Sequence, residues 1–255
     1  MAPHVDPGSG ILSYEGVPDP SALTAAASAA FRSGLARVEA HVPMSAETLL
    51  VRRAFYRAGF HREGVRRGED VGVFSLLVTD TGDARETFTA VMNSVTPRKR
   101  LIAHALVTDA AGRVLLCQTS FKADWELPGG IVEPGESPRV GVEREMVEEM
   151  GWSPRVAGVL VVDWLRPYLG WEDALELVFA TEPLTAAQAE RLRADGVEIL
   201  ALHWVTPDVL DDVMTPFGAA RVRSAIAAAA EGRTRYTEAG EPVACARRFP
   251  SATGL

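Results

Sequence analysis

The segment "ELPGGIVEPGESPRVGVEREMVEEMGW", Glu126 to Trp152, constrains this chain more than any other. A glycine-rich turn runs into a short helix on which Glu143, Glu145, Glu148 and Glu149 crowd around Arg144. Ser137 is placed to cap that helix, with Pro138 in its first turn, where a missing N–H does no harm. At about 100° per residue, Glu145, Glu148 and Glu149 share one arc, while Val142, Met146 and Met150 take another sector suited to packing on a sheet. Like charges three and four apart destabilise a helix by roughly a few tenths of a kcal/mol per pair, so the crowding needs an offset. Three carboxylates on one face offer an oxygen-rich site for a hard divalent cation. Mg²⁺ is expected, because it takes few carboxylates, keeps waters and shares phosphate oxygens with a substrate. The plainer alternative is a solvated acidic face.

Spacing decides between them. Five residues separate Gly130 from Glu136, and seven separate Glu136 from Arg144-Glu145; then come Met146, Glu148-Glu149, Gly151 and Trp152. This resembles the Nudix box, the signature of the Nudix hydrolase family, at each defined position. The resemblance covers roughly residues 98 to 232 and implies an α/β fold, an α/β/α sandwich carrying the box as loop–helix–loop. It implies that Arg144 pins Glu136. Metal ligation is carried over to Glu145, Glu148, Glu149 and the backbone of Gly129, with Mg²⁺ or Mn²⁺ as the ion. Glu145 shares ligand and base duty, and Glu198, just before "ILALHWV", is the candidate base from a later loop. The implied reaction is hydrolysis of a phosphoanhydride in a nucleoside diphosphate linked to another group. Gly135 is expected at positive φ in the "EPGE" turn. Trp125, Tyr168 and Trp171 are candidate base-stacking aromatics, and Lys122, Arg100 and Arg166 candidate phosphate contacts. Pro167 and Tyr168 stand near two subclass marks, one linked with ADP-ribose and one with dinucleoside polyphosphates, and having both decides nothing.

"RVEAHVPMSAETLLVRRAFYRAGFHREGVRRGEDVGVFSLL" resembles the C-terminal half of a GNAT-type acetyltransferase. The departures are specific. Pro18 and Pro20 stand where coenzyme A would need glycines and free N–H groups. Thr48 and Val51 stand where that family has Asn and Ser. The expected layout is a degenerate α/β half-domain at 1–80, a linker at 81–97, the hydrolase at 98–232 and a tail at 233–255. Alternative functions are an acetyl-coenzyme A-dependent N-acetyltransferase or a coenzyme A-binding module through this N-terminal region, or a non-catalytic Nudix-fold protein with a dimerisation or regulatory role. A truncated sheet with an open edge suggests a homodimer through residues 1–80.

The net charge of −8 argues against a nucleic-acid surface, and a small nucleotide is the expected partner. Cys117 and Cys245 form no framework, and no leader or membrane span is read, so a cytoplasmic protein is expected. The first dozen residues read as loosely held. Helices are expected from Ser21 to Gly34, from Ser45 to Gly59 with Leu49 and Leu50 in its apolar stripe, at "TAAQAERLRAD", and from Pro207 and Pro216. Strands are expected at "LARVEAHVP", "DVGVFSLLVTD", "VAGVLVVDWL", "ALELVFATE" and "EILALHWV", and a hairpin turns at Ala110–Gly112.

Overall fold

The structure is a computed structural model that describes residues 2–80 and 84–243. Cys245 and the remaining tail lie outside the described residues, as do Thr81–Asp83. The chain divides into two compact units, Met1–Arg98 and Lys99–Leu255.

The first unit opens with a two-strand ladder, β1 (His4–Val5) and β2 (Leu12–Ser13), then α1 (Pro20–Arg32) and β3 (Arg37–Pro43). The opening residues are therefore held rather than loose: β1 pairs with β2, and Asp6 accepts from the N–H and hydroxyl of Ser9, both at 2.7 Å. Asp19, not Ser21, caps α1, accepting from the Ser21 N–H, with Pro20 in the first turn. That helix N-terminus is thus closed by its own carboxylate. Next come α2 (Leu49–Arg57), β4 (His61–Val65), β5 (Val71–Leu77) and α3 (Ala84–Val95). Val51, Ala54 and Phe55 form the buried stripe of α2, whereas Leu49 and Leu50 are exposed. A one-turn 3₁₀ segment at Ala46–Thr48 shifts the helical phase relative to a cap at Ser45. Strand β4 has no alternating pattern in "HREGV" and is not anticipated from sequence. The sheet order is β3–β5–β4, all antiparallel. Its edges have cover within the unit: Ile11 bridges Glu39 on β3, and Ser94 of α3 accepts from the Arg62 N–H on β4.

The second unit carries β6 (Arg100–Leu106), β7 (Val114–Thr119), β8 (Gly129–Ile131), α4 (Pro138–Met150), β9 (Val156–Leu165), β10 (Ala174–Thr181), α5 (Ala186–Ala189), β11 (Ile199–Val205), α6 (Leu210–Val213), α7 (Pro216–Glu231), β12 (Arg235–Glu238) and β13 (Glu241–Pro242). Six strands form one sheet in the order β13–β12–β9–β10–β6–β8, and β11 pairs with β7 in a second. The expected hairpin exists only at its turn, where Asp109 accepts from the N–H groups of Ala111 and Arg113 and Thr108 bridges Val114; beyond it β6 and β7 enter different sheets. Alternation explains the layering. Ala103, Ala105, Leu115 and Cys117 face Val142, Met146 and Met150 of α4, while Leu106, Val114 and Leu116 face Ala219, Val222 and Ala225 of α7. The helix expected at "TAAQAERLRAD" stops after one turn, although Thr185 and Gln188 complete its capping box. The tail left unassigned from sequence begins as sheet, because β12 pairs in parallel with β9.

No helix among the described residues is long and apolar enough to cross a membrane.

Candidate active site

The turn before α4 is built by steric necessity. Gly129 has φ +120°, and a Cβ there would lie 2.3 Å from the Ala103 carbonyl oxygen, so only glycine lets β8 pair with β6 at this point. A Cβ on Gly130 would sit 3.1 Å from the Glu145 carboxyl. Gly135 has φ +90°, as the "EPGE" turn requires. Ser137 caps α4 towards the Val140 N–H, and Gly151 ends it in the left-handed region.

Arg144 organises the loop. Its Nη2 donates to Glu136 Oε1 at 2.8 Å and to the Ile131 carbonyl at 3.3 Å, and its Nε reaches Glu136 Oε2 at 3.3 Å. The Arg144 contacts, with the Glu133 N–H, hold the Glu136 carboxyl below its usual range. Arg144 Nη1 donates to both Glu145 and Glu148, each at 2.9 Å. Gly141 was not anticipated: a Cβ there would meet Glu136 Oε1 at 2.9 Å, so this helical glycine makes room for the clamp. The only sequence signal was a glycine inside a helix, which costs about 1 kcal/mol relative to alanine.

Glu149 is buried and accepts from the Gly129 N–H at 2.9 Å. Burial pushes its carboxyl up to about 8, against the lowering effects of the Gly129 N–H and of His104. Glu145 is also raised, first by burial, with Glu148 and Glu198 adding to it. Glu198 thus lies close enough to Glu145 for its charge to be felt, on the loop that Asp195 caps. Glu143 pairs with Arg139 at 2.8 Å, outside the set.

The donor chemistry fits a hard divalent cation: carboxylate oxygens of Glu145, Glu148 and Glu149 beside a closely approached glycine backbone. Glu145 and Glu148 share the Arg144 Nη1 donor while Glu149 turns to the Gly129 N–H, and among the described residues no three acidic, His or Cys side chains converge as a metal-holding group.

Of the candidate substrate residues, Arg100, Tyr168 and Trp171 gather, with Tyr168 and Trp171 exchanging backbone hydrogen bonds at 3.1 and 2.9 Å, while Trp125 and Lys122 are engaged elsewhere. Trp125 stacks on His203 with centroids 3.8 Å apart, and Lys122 pairs with Glu126. Tyr168 meets the Phe217 ring edge, and the Arg100 guanidinium lies over Trp171 at 4.4 Å. Arg166 opens the exposed β9–β10 turn, where Leu169 holds a positive φ of 48°.

Sequence reasoning missed a second charged network, on the α7 side of the sheet. Arg221 Nε donates to Asp163 at 2.7 Å and its Nη1 lies 3.0 Å from Glu176, which is 2.8 Å from His104 Nδ1. All four residues are buried. The Thr237 hydroxyl and the Gly240 N–H also donate to Asp163, at 2.6 and 2.9 Å. Burial alone would raise the Glu176 carboxyl, but Arg221 and His104 hold it at about 2.

The fold and the clamped glutamate helix define a phosphoanhydride-hydrolysing class, and comparison with known proteins gives the family. The family model described as "NUDIX domain" matches residues 98–226, half of the chain. A Bacillus subtilis (strain 168) protein provisionally named 8-oxo-dGTP diphosphatase is 34% identical over 114 residues, 45% of this chain and 71% of that protein. An RNA pyrophosphohydrolase of Zymomonas mobilis is 29% identical over 118 residues, 40% of this chain and 74% of that protein. The crystal structure of a MutT protein from Methanosarcina mazei Go1 aligns with a TM-score of 0.44 at 22% identity, covering 55% of this chain and all of that one. The chain belongs to the Nudix family and is a hydrolase acting on phosphoanhydride bonds.

Proposed function

We propose that this chain is a Mg²⁺-dependent pyrophosphohydrolase, also served by Mn²⁺, acting on a nucleoside diphosphate linked to a further group. A nucleoside triphosphate is the favoured form, supported by the relative named for 8-oxo-dGTP. The observation that carries the reading is the single guanidinium of Arg144 holding Glu136 on one side and Glu145 with Glu148 on the other.

In this reading Glu145, Glu148, Glu149 and the Gly129 backbone hold the ion, which when bound supplies an acidified water and neutralises developing phosphate charge. Arg144 and Glu136 fix the loop so that the carboxylates stay within reach of the ion. Glu145 or Glu198 takes the proton from the attacking water. Tyr168, Trp171 and Trp125 are the aromatic candidates for the base, and Lys122, Arg100 and Arg166 those for phosphates. The first unit is read as a non-catalytic module; its covered sheet edges and capped α1 support that reading over coenzyme A binding.

The test is a screen of nucleoside triphosphates, nucleotide sugars, ADP-ribose and dinucleoside polyphosphates with Mg²⁺ or Mn²⁺. Metal-dependent turnover of at least one class, abolished by EDTA and by Glu148→Gln or Glu149→Gln, is expected. Undiminished turnover in both variants would refute the assignment.

A further inference from the structure

The first unit contains a groove whose chemistry the hydrolase reading does not use. It runs along β4 and the C-terminal end of α3 and encloses about 430 Å³, within the range of roughly 300–1,000 Å³ typical of small-molecule sites. Arg62, Glu63, Gly64, Asn93, Thr96 and Arg98 are among its lining residues. Glu63 is the one carboxylate in that lining, and it is fully engaged. Arg37 holds both its oxygens at 2.7 Å, and Ser75 donates to Oε1 at 2.6 Å.

Arg62 and Arg98 are therefore left without an anionic partner among the described residues. Arg98 gives one N–H to the Asn93 carbonyl at 3.3 Å, and the hydrogen bond from Arg62 to Ser94 uses only its backbone N–H. A Cβ added to Gly64 would meet nothing within 4 Å, so the backbone there stays open to the groove. Two guanidinium forks discriminate between anions. One bidentate fork satisfies a carboxylate, whereas the free oxygens of a phosphate accommodate two.

We propose that this groove binds a small molecule through a phosphate group, clamped by Arg62 and Arg98 with the Asn93 amide beside them. This is a ligand site in the unit that carries no hydrolase motif, and it stands independently of the reaction assigned to the second unit.

The experiment is ¹⁵N amide spectroscopy on the full-length protein in EDTA, which suppresses metal-dependent phosphate binding elsewhere. Inorganic phosphate and AMP are titrated separately. Saturable shifts are expected at the Gly64, Asn93 and Thr96 amides. Arg62→Gln with Arg98→Gln should weaken them at least about tenfold, as loss of a hydrogen bond to a charged group implies. Gly64→Leu fills the groove without changing charge and should weaken them comparably. Tighter binding of AMP assigns the site to a phosphate ester, and equal binding assigns it to the phosphate alone; both uphold the proposal. Absence of saturable shifts at these amides, or shifts that neither variant changes, overturns it.

Discussion

Two arginines of the second unit face more negative charge than each can neutralise, and they resolve it differently. Arg221 is buried with Asp163, Glu176 and His104, and Asp163 takes further donors from Thr237 and Gly240. Arg144 is partly exposed, and three carboxylates, Glu136, Glu145 and Glu148, share its one guanidinium, with Glu149 close by on Gly129. In the first network each carboxylate has a fixed partner, although Arg221 Nη2 is buried without one. The second is over-supplied with anionic oxygen on a solvent-accessible helix. The two networks use the same residue types and differ in how many carboxylates each guanidinium serves.

The comparison is broken most severely at Arg221. Arg221→Met leaves Asp163 and Glu176 buried without their guanidinium and should cost about 3–5 kcal/mol, read as a lowered urea midpoint. A loss below about 1 kcal/mol would mean the network is not what holds these strands to α7. Glu149→Gln should do the reverse. Turnover should fall by more than about a hundredfold, as expected for a metal ligand, while thermal stability holds or rises because a buried carboxyl is removed. A substantial drop in melting temperature with activity retained would place Glu149 in the structural class. Glu136→Gln sharpens the contrast, since it frees Arg144 to hold Glu145 and Glu148 more tightly. The Mg²⁺ concentration for half-maximal activity should rise roughly 10- to 100-fold, with little change in stability.

The mildest perturbation is acid. Glu176 is held at about 2 against an ordinary 4.5. A carboxyl lowered by folding contributes stability that is fully present above pH 4.5 and is lost as pH falls through 2. Urea midpoints measured across that interval should decline, and the part due to Glu176 should be missing from Arg221→Met. An identical decline in both proteins would detach Glu176 from its partner.

The box was legible in the sequence because its chemistry is local: cap, glycines, clamp and carboxylates lie within one loop and one helix. The Ser137 cap, the positive φ of Gly135 and the inward Val142, Met146 and Met150 all follow from near neighbours. The Arg221 network was visible only as isolated oddities, a His in "LIAHALV", an Asp in "VVDWL" and a Glu in "ALELVF". Nothing local says that these three and a helix arginine meet across 58 and 72 residues of chain. The same limit explains the hairpin that splits between two sheets and the helix after Thr185 that ends in one turn, where tertiary pairing overrides propensity. Substrate candidates were chosen by residue type, and type alone did not reveal that Trp125 already stacks on His203.

The donors to Asp163 also carry a consequence in time. Asp163 is made long before them: Gly240 follows it by 77 residues, several seconds of translation at about 5–20 residues per second. Until then its strand holds a carboxylate that cannot be buried at low cost. The hydrolase unit should therefore close late, after its box helix has been synthesised. A ribosome stalled at residue 226 would hold every residue matched by the family model, yet the nascent chain should still be open to protease.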